Sequence, residues 1–249
     1  MKLYKFLKKD LTSTYQDFVW DLPKKNHAGI WTPGKWMPAV TGKLELCKKG
    51  YHLTDASHLL DWAEAQLFEA EYRGRILKGN NKFVVREARL LRQIEGWNDR
   101  NLRLFAVESA RDALILIPDP DPRSLAACDI AERFANGKAT KDELGGAVSA
   151  VSAVSAAYAA SAVSAAYAAS YYAVSAAYAA AYASAVSAAF AAASYAAYAA
   201  SASSASSASH AAYAFSAVSA ASYATASIRD AQYKKLWKMI GIGIEVNDD

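Results

Sequence analysis

From Ala147 to Ile228 the chain carries no Asp, Glu, Lys or Arg, and no Gly or Pro. It is built almost wholly of Ala, Ser, Tyr and Val, with one histidine, His210. Ala is the strongest helix former, and the two residues that most oppose helix are missing. Bulky residues recur three or four apart: Val148, Val151, Val154, Tyr158, then Val163, Tyr167, Tyr171, then Val174, Tyr178, Tyr182, Val186, Phe190. This is the helical period, not the alternation of a half-buried strand. Unbroken helix over the whole tract would run roughly 120 Å at about 1.5 Å per residue. A helical hairpin or bundle is therefore expected. The first candidate for a break is Ser201 to Ser209, where serine hydroxyls compete for the local backbone, and the second lies near Tyr171 and Tyr172; one long helix packed in an assembly is the alternative.

A surface helix normally keeps charge on its wet face. Here only serine hydroxyls and tyrosine tips serve, so close packing must hide more than one face. The expected partner is the tract's own other half or further copies of the chain, giving a homo-oligomer. Tyr158, Tyr167, Tyr178, Tyr182, Phe190 and Tyr198 are the expected assembly residues. Competing readings are a low-complexity spacer, silk-like stacking of Ala and Ser faces, and ice binding by a flat Ala-rich helix. Stacking conflicts with the period and with the poor strand propensity of Ala. Ice binding conflicts with serine spacing that wanders. A membrane span is disfavoured, because Ser opposes insertion, Leu is absent and Tyr is spread throughout instead of in two belts.

All charge therefore lies in the flanks of this 249-residue chain, with a mild net value of +4. Two cysteines, Cys47 and Cys128, make no disulfide framework. Together with a short, mixed, basic start that lacks the apolar core of a signal peptide, they point to a reducing cytoplasmic setting. The expected fold class is α+β: a small α+β domain over residues 1–117, a Pro/Gly linker with short helices over 118–146, the uncharged helical tract over 147–228, and an amphipathic helix and tail over 229–249.

Within the first domain, Lys2 to Leu7 alternates weakly and reads as a strand. Pro23 to Pro38, holding Trp31 and Trp36, reads as loop. Lys43 to Leu53 reads as strand, turn at Gly50, and strand. Thr54 or Asp55 then caps a helix through Leu60 and Trp62, reaching Leu67. Phe68 to Leu77 alternates as a strand, and Gly79-Asn80-Asn81 is a turn. Lys82 to Leu91 begins as a strand and passes into helical or irregular structure, which would make Arg86, Arg89 and Arg92 a basic helical ridge. Leu102 to Ile117 has a helix start near Ser109 to Asp112 and a buried end. Asp119 and Asp121 alternate with three prolines in a stiff linker. Ser124 caps a helix that Gly137 ends. Thr140 and Glu143 form a capping box, interrupted by a hinge at Gly145 and Gly146. Arg229 to Ile240 is a helix closed by Gly241, with a short strand over Ile242 to Val246.

Little chemistry stands out. Cys47, His52 and His58 lack the paired spacing of a zinc site, and no metal is expected. A Cys47–His52 nucleophile pair has no third, orienting group. Glu64, Glu69 and Glu71 read as a solvated face. The arginines lack the aromatic neighbours of a single-strand nucleic-acid site, so no specific nucleic acid is expected. Gly50-Tyr51-His52-Leu53-Thr54 before a helix resembles the first motif of His-type ADP-ribosyltransferases. That resemblance implies NAD as cofactor, His52 and Thr54 as site residues, Tyr72 as the stacking tyrosine, and Glu71, Glu87 or Glu108 as the acid. Otherwise no cofactor is expected. A small-ligand site using Trp31, Trp36 and His52 is the plainer version of the same idea.

Residues 1–117 also resemble a family of phage and prophage proteins of unknown function. The likeness rests on Cys47 to His52, the helix with Trp62, Lys82 to Arg86 and the Arg89 to Arg92 run, followed by an Ala-rich tail. The family's tails carry Arg and Asp where this one carries Ser and Tyr. The leading expectation is a non-enzymatic interaction or assembly protein, possessed of an uncharged tract that self-associates and presents the N-terminal domain. The enzyme or ligand binder is the alternative.

Overall fold

A computed structural model of the chain describes residues 1–14, 18–114, 120–147, 149–150 and 226–243. The chain is α+β, and its contacts divide it into two compact units: Met1–Asn98 with Ile240–Asp249, and Asp99–Met239. This boundary falls before the first long helix, not at residue 117, because that helix packs on the helix that follows it. The helical period of the tract, its hairpin and all six expected assembly residues lie outside the described residues, as do Pro118 and Asp119 of the proline linker.

The first unit is a curled four-stranded antiparallel sheet in the order β1-β5-β6-β4, with a small separate ribbon of β2 and β3. The strands are β1 (Leu3–Leu7), β2 (Lys24–Lys25), β3 (Trp31–Thr32), β4 (Tyr51–Leu53), β5 (Gln66–Lys78) and β6 (Phe83–Gln93). β5 and β6 form a long hairpin whose register shifts at Glu69/Ala70 and again between Arg73 and Ile76. Gly74 sits in the second irregularity with φ +76. Such bulges bend a strand and increase its twist. The sheet curls far enough for its edges to meet. Tyr4 N–H donates to Thr54 O at 2.7 Å, and Thr54 N–H to Tyr4 O at 2.9 Å. Beyond β4, the free edge of β6 is covered by the loop over 34–40: Gly34, Met37 and Val40 donate to Leu90, Ala88 and Arg86 carbonyls. Edge closure of this kind leaves few backbone groups unpaired.

Alternation sets the interior. Leu3 and Leu7 of β1 join Trp20, Tyr51, Leu53, Phe68, Phe83, Val85 and Leu90 inside the curl. The opposite face of β1 is also covered, with Tyr4 and Phe6 buried and Phe6 set edge-on to Trp97 at 4.9 Å. Buried leucines and aromatics of this kind each contribute about 1.5–3 kcal/mol.

Several expectations are corrected here. β6 stays a strand through Gln93, so Arg86, Arg89 and Arg92 form no helical ridge. Arg89 pairs with Glu71 and Arg92 with Glu69, each at 2.7 Å across the β5–β6 ladder, and Arg86 donates to the Val40 and Gly42 carbonyls. The segment after Asp55 is a 3-10 helix, Ala56–Trp62, kinked at His58 and ended before Leu67. Asp55 does cap it, accepting from Ser57 N–H at 3.1 Å. Residues 43–49 are not a strand: 45–49 form a tight turn closed by a Glu45–Lys49 bridge, with Cys47 in the left-handed region at φ +63.

The second unit begins with α1 (Asp99–Leu114), which runs straight through the helix start expected at Ser109. α2 (Pro122–Ala135) is capped by Asp121 with Pro122 in its first turn, so Ser124 is not the cap. Arg111 of α1 meets Asp129 and Glu132 of α2 at 2.7 and 2.6 Å. Gly137 leaves α2 at φ +70. The capping box is present: Thr140 N–H donates to Glu143 Oε2 at 2.7 Å, and Glu143 N–H to Thr140 Oγ1 at 3.2 Å. Helix continues over 141–147 through Gly145 and Gly146, so the glycines do not interrupt it there. α3 (Ala226–Ile240) ends at Gly241, φ +72. Ile242 and Gly243 are not strand, and 244–249 lie outside the described residues. Lys235 of α3 binds Asp112 of α1 at 2.7 Å, and Asn101 donates to Met239 O at 2.8 Å. The helix after the uncharged tract thus returns to the helix before it. No helix among the described residues is long and apolar enough to cross a membrane.

Candidate functional site

The first unit holds a cavity of about 450 Å³ where the meeting edges of β1 and β4 face the turn over 45–49 and the start of β6. Its wall carries the aromatic rings of Phe18, Trp20, Tyr51 and Trp62 together with Lys5, Lys82, Cys47, His52, Ser13, Thr14 and Thr54. Among the described residues lining it there is no carboxylate. The size and make-up match small-ligand pockets, which are mostly apolar with a few converging polar groups.

Lys5 is the unusual member. It lies between Leu3 and Leu7, which are 1% and 0% exposed and point into the sheet interior. Strand alternation puts Lys5 on that same face, where an apolar residue would be expected. Its Nζ stands 5.5 Å from the centre of the Trp20 ring. That ring is anchored by Trp20 Nε1 donating to the buried Ser13 hydroxyl at 2.8 Å. Loss of water pushes the Lys5 ammonium down to about 8 from 10.5. No hydrogen bond or ion pair to the Lys5 ammonium occurs among the described residues.

Lys82 opens β6 from the Gly79 turn. Its Nζ lies 2.8 Å from Cys47 Sγ and 4.8 Å from the Trp62 ring centre. Trp62 is itself held by Nε1 donating to Asn81 O at 2.9 Å, and the Thr54 hydroxyl donates to the same carbonyl at 3.2 Å. Cation–π contact with an anchored indole replaces part of the hydration Lys5 has lost, and Lys82 makes the same kind of contact with Trp62.

His52 is occupied by its own loop. Cys47 N–H donates to His52 Nε2 at 3.0 Å, which requires the Nε2 lone pair. Burial, then the charges of Lys5 and Lys82, lower the imidazole to about 4, against a hydrogen bond with Gly50 that works the other way. His52 is therefore neutral at physiological pH and ties the turn to β4. Gly50 makes this possible: at φ +127, a Cβ there would stand 2.3 Å from Val84 Cγ1.

The residues expected from the sequence divide cleanly. His52 and Thr54 line the cavity; Tyr72, Glu71, Trp31 and Trp36 do not. Tyr72 packs against the sheet interior and Glu71 is paired with Arg89. Trp36 lies between Arg73 and Arg89, at 3.8 and 4.7 Å from the guanidinium carbons. Trp31 is covered by Lys25 at 5.6 Å. The His-Tyr-Glu constellation of an ADP-ribosyltransferase is thus not assembled around this cavity by the nominated residues. Lys5, Trp20 and Lys82 were missed. The trace in the sequence was the run Leu3-Tyr4-Lys5-Phe6-Leu7, where a charge interrupts the inward positions of an otherwise apolar strand. Among the described residues no three His, Cys, Asp or Glu side chains converge to hold a metal. Comparison with protein-family models, with curated proteins and with solved structures finds no match to this chain.

Proposed function

We propose that the sheet unit is a binding module for a small anion with a flat apolar body. One observation carries this reading: two lysines share an aromatic cavity with no carboxylate among its described lining. A buried cation without a counter-charge is costly, so structures pair it or leave it for a ligand. The ligand's ring would lie against Trp20 or Trp62 and its anionic group between Lys5 and Lys82. The Ser13 hydroxyl, which accepts from Trp20 Nε1, keeps its own proton to donate.

Titration of the full chain with benzoate and with benzyl alcohol, followed by tryptophan fluorescence, tests it. The anion is expected to bind at least tenfold more tightly, and Lys82→Met to remove that preference. Equal affinity for the two probes, or a preference untouched by Lys82→Met, would rule out the proposal.

A second role, self-association through residues 147–228, is supported by the complete absence of charge from that tract. Light scattering of the full chain is expected to report a mass of two or more copies. A monomeric mass would exclude it.

A further inference from the structure

The cavity contains a group that simple anion binding does not need. A lysine that only recognises an anion works best fully charged and at the rim, where water shares the cost of its ammonium. Lys5 instead takes an inward position of β1, between two buried leucines and across from Leu53, another interior residue. It is stacked on a fixed indole and has no acidic partner among the described residues. The neighbours that bear on its charge are His52, held neutral by its loop, and the cationic Lys82. Glu64 approaches the lining through Thr14, whose Oγ1 lies 3.5 Å from its Oε1. Among the described residues only the Trp20 ring favours the ammonium, and the loss of water outweighs it in favour of the free amine. At neutral pH roughly a tenth of Lys5 is unprotonated, against fewer than about one in a thousand for an exposed lysine. Desolvated lysines of this kind are the ones that attack carbonyl carbon.

We propose that Lys5 is a covalent capture group, condensing with an aldehyde borne by the small anionic ligand of this cavity. The inference rests on the ligand-binding reading above and narrows its substrate class to aromatic or flat aldehydes with an anionic substituent. The Lys5 Nζ lone pair adds to the carbonyl carbon while the C=O π pair moves to oxygen, which takes up a proton. The resulting carbinolamine expels that oxygen as water as the nitrogen pair forms C=N. Aldehyde and amine thus give imine and one water, with no change of oxidation state. Lys82 holds the anionic substituent, Trp20 covers the new imine, and the apolar wall limits its hydrolysis.

The test uses the full chain with para-carboxybenzaldehyde, cyanoborohydride to trap imine as secondary amine, and peptide mapping by mass. Its aldehyde-free counterpart, para-(hydroxymethyl)benzoate, is titrated in parallel by tryptophan fluorescence. Lys5 is expected to be modified at least tenfold faster than the exposed Lys24 and Lys35, with saturation, and the counterpart to protect it. In Lys5→Arg the fast modification should vanish while that of Lys24 and Lys35 is unchanged; the mapping of the unaltered chain stands even if this variant folds poorly. Binding of the counterpart without preferential modification of Lys5 would overturn the capture step and leave the ligand site standing. Failure of both probes to bind or label the cavity would overturn the two together.

Discussion

Replacing Lys5 by Met should make the sheet unit more stable while depriving the cavity of its inner amine. The folded unit holds the ammonium at about 8 and the unfolded chain at 10.5. Each unit of displacement is 1.36 kcal/mol, so the folded state bears a penalty of up to about 3 kcal/mol at neutral pH. Lys5 is half-buried and keeps some water through the cavity, which reduces the realised figure to roughly 1–2 kcal/mol. Met retains the unbranched stem and adds no charge, so most of that should appear as stabilisation. The sign follows from proton counts. Between pH 8 and 10.5 the unfolded chain holds the Lys5 proton and the folded one has lost it, so wild-type stability rises with pH. The advantage of Lys5→Met is therefore complete below pH 8 and fades as pH climbs through 10.5. Tyr51 and Tyr4 are both raised by burial, Tyr4 to about 12, and so they hold their protons through most of this window. Urea unfolding followed by tryptophan fluorescence at pH 7 and pH 10 measures it, since Trp20, Trp31, Trp36, Trp62 and Trp97 all belong to this unit. A lower midpoint for Lys5→Met at pH 7, or the same gain at pH 10, would refute the reasoning. A residue that weakens the fold it belongs to is a candidate for function.

Acid should loosen the same site through His52. Its folded value is about 4 against 6.5 when unfolded, so its contribution is whole above pH 6.5 and is lost as pH falls toward 4, by roughly 2 kcal/mol after allowance for partial exposure. His52→Gln should flatten that part of the urea midpoint against pH; an unchanged slope would count against the neutral, amide-accepting histidine. Gly50→Ala places a Cβ 2.3 Å from Val84 Cγ1 at φ +127, so a loss of about 2–4 kcal/mol is expected in the same unfolding assay; a loss under about 1 kcal/mol would mean the turn relaxes freely. Thiol titration of the native chain should label Cys47, which is exposed, and spare Cys128, which is buried with its thiol pushed up to about 12. Two fast thiols per native chain would contradict the packing of α2.

Local rules written in the chain are legible wherever a short segment decides its own conformation. The Thr140–Glu143 box, Gly137 and Gly241 as helix ends, the Gly79 turn, the alternation of β1 and β5, and Asp55 as a cap follow from side chains acting within a few residues. Misreadings arose where distant partners decide. β6 contains Arg-Glu-Ala-Arg-Leu-Leu-Arg, which suits a helix by propensity. It is a strand because Glu69 and Glu71 of β5 neutralise Arg92 and Arg89, and because β4 and the loop over 34–40 take up its other edge. Tertiary pairing routinely overrides such local preference.

The sequence by itself determined that the chain is α+β, that its charge is confined to the flanks, and which short segments turn, cap or extend, because those depend on composition and near-neighbour chemistry. Only the tertiary structure decided that β1 and β4 close against each other and that the turn at Cys47 consumes His52. Only there does Lys5 meet Trp20 in a cavity whose described lining holds no carboxylate. Those are relations between residues far apart in the chain. Desolvation, which lowers the Lys5 ammonium to about 8, belongs to the enclosing surface and has no address in the sequence.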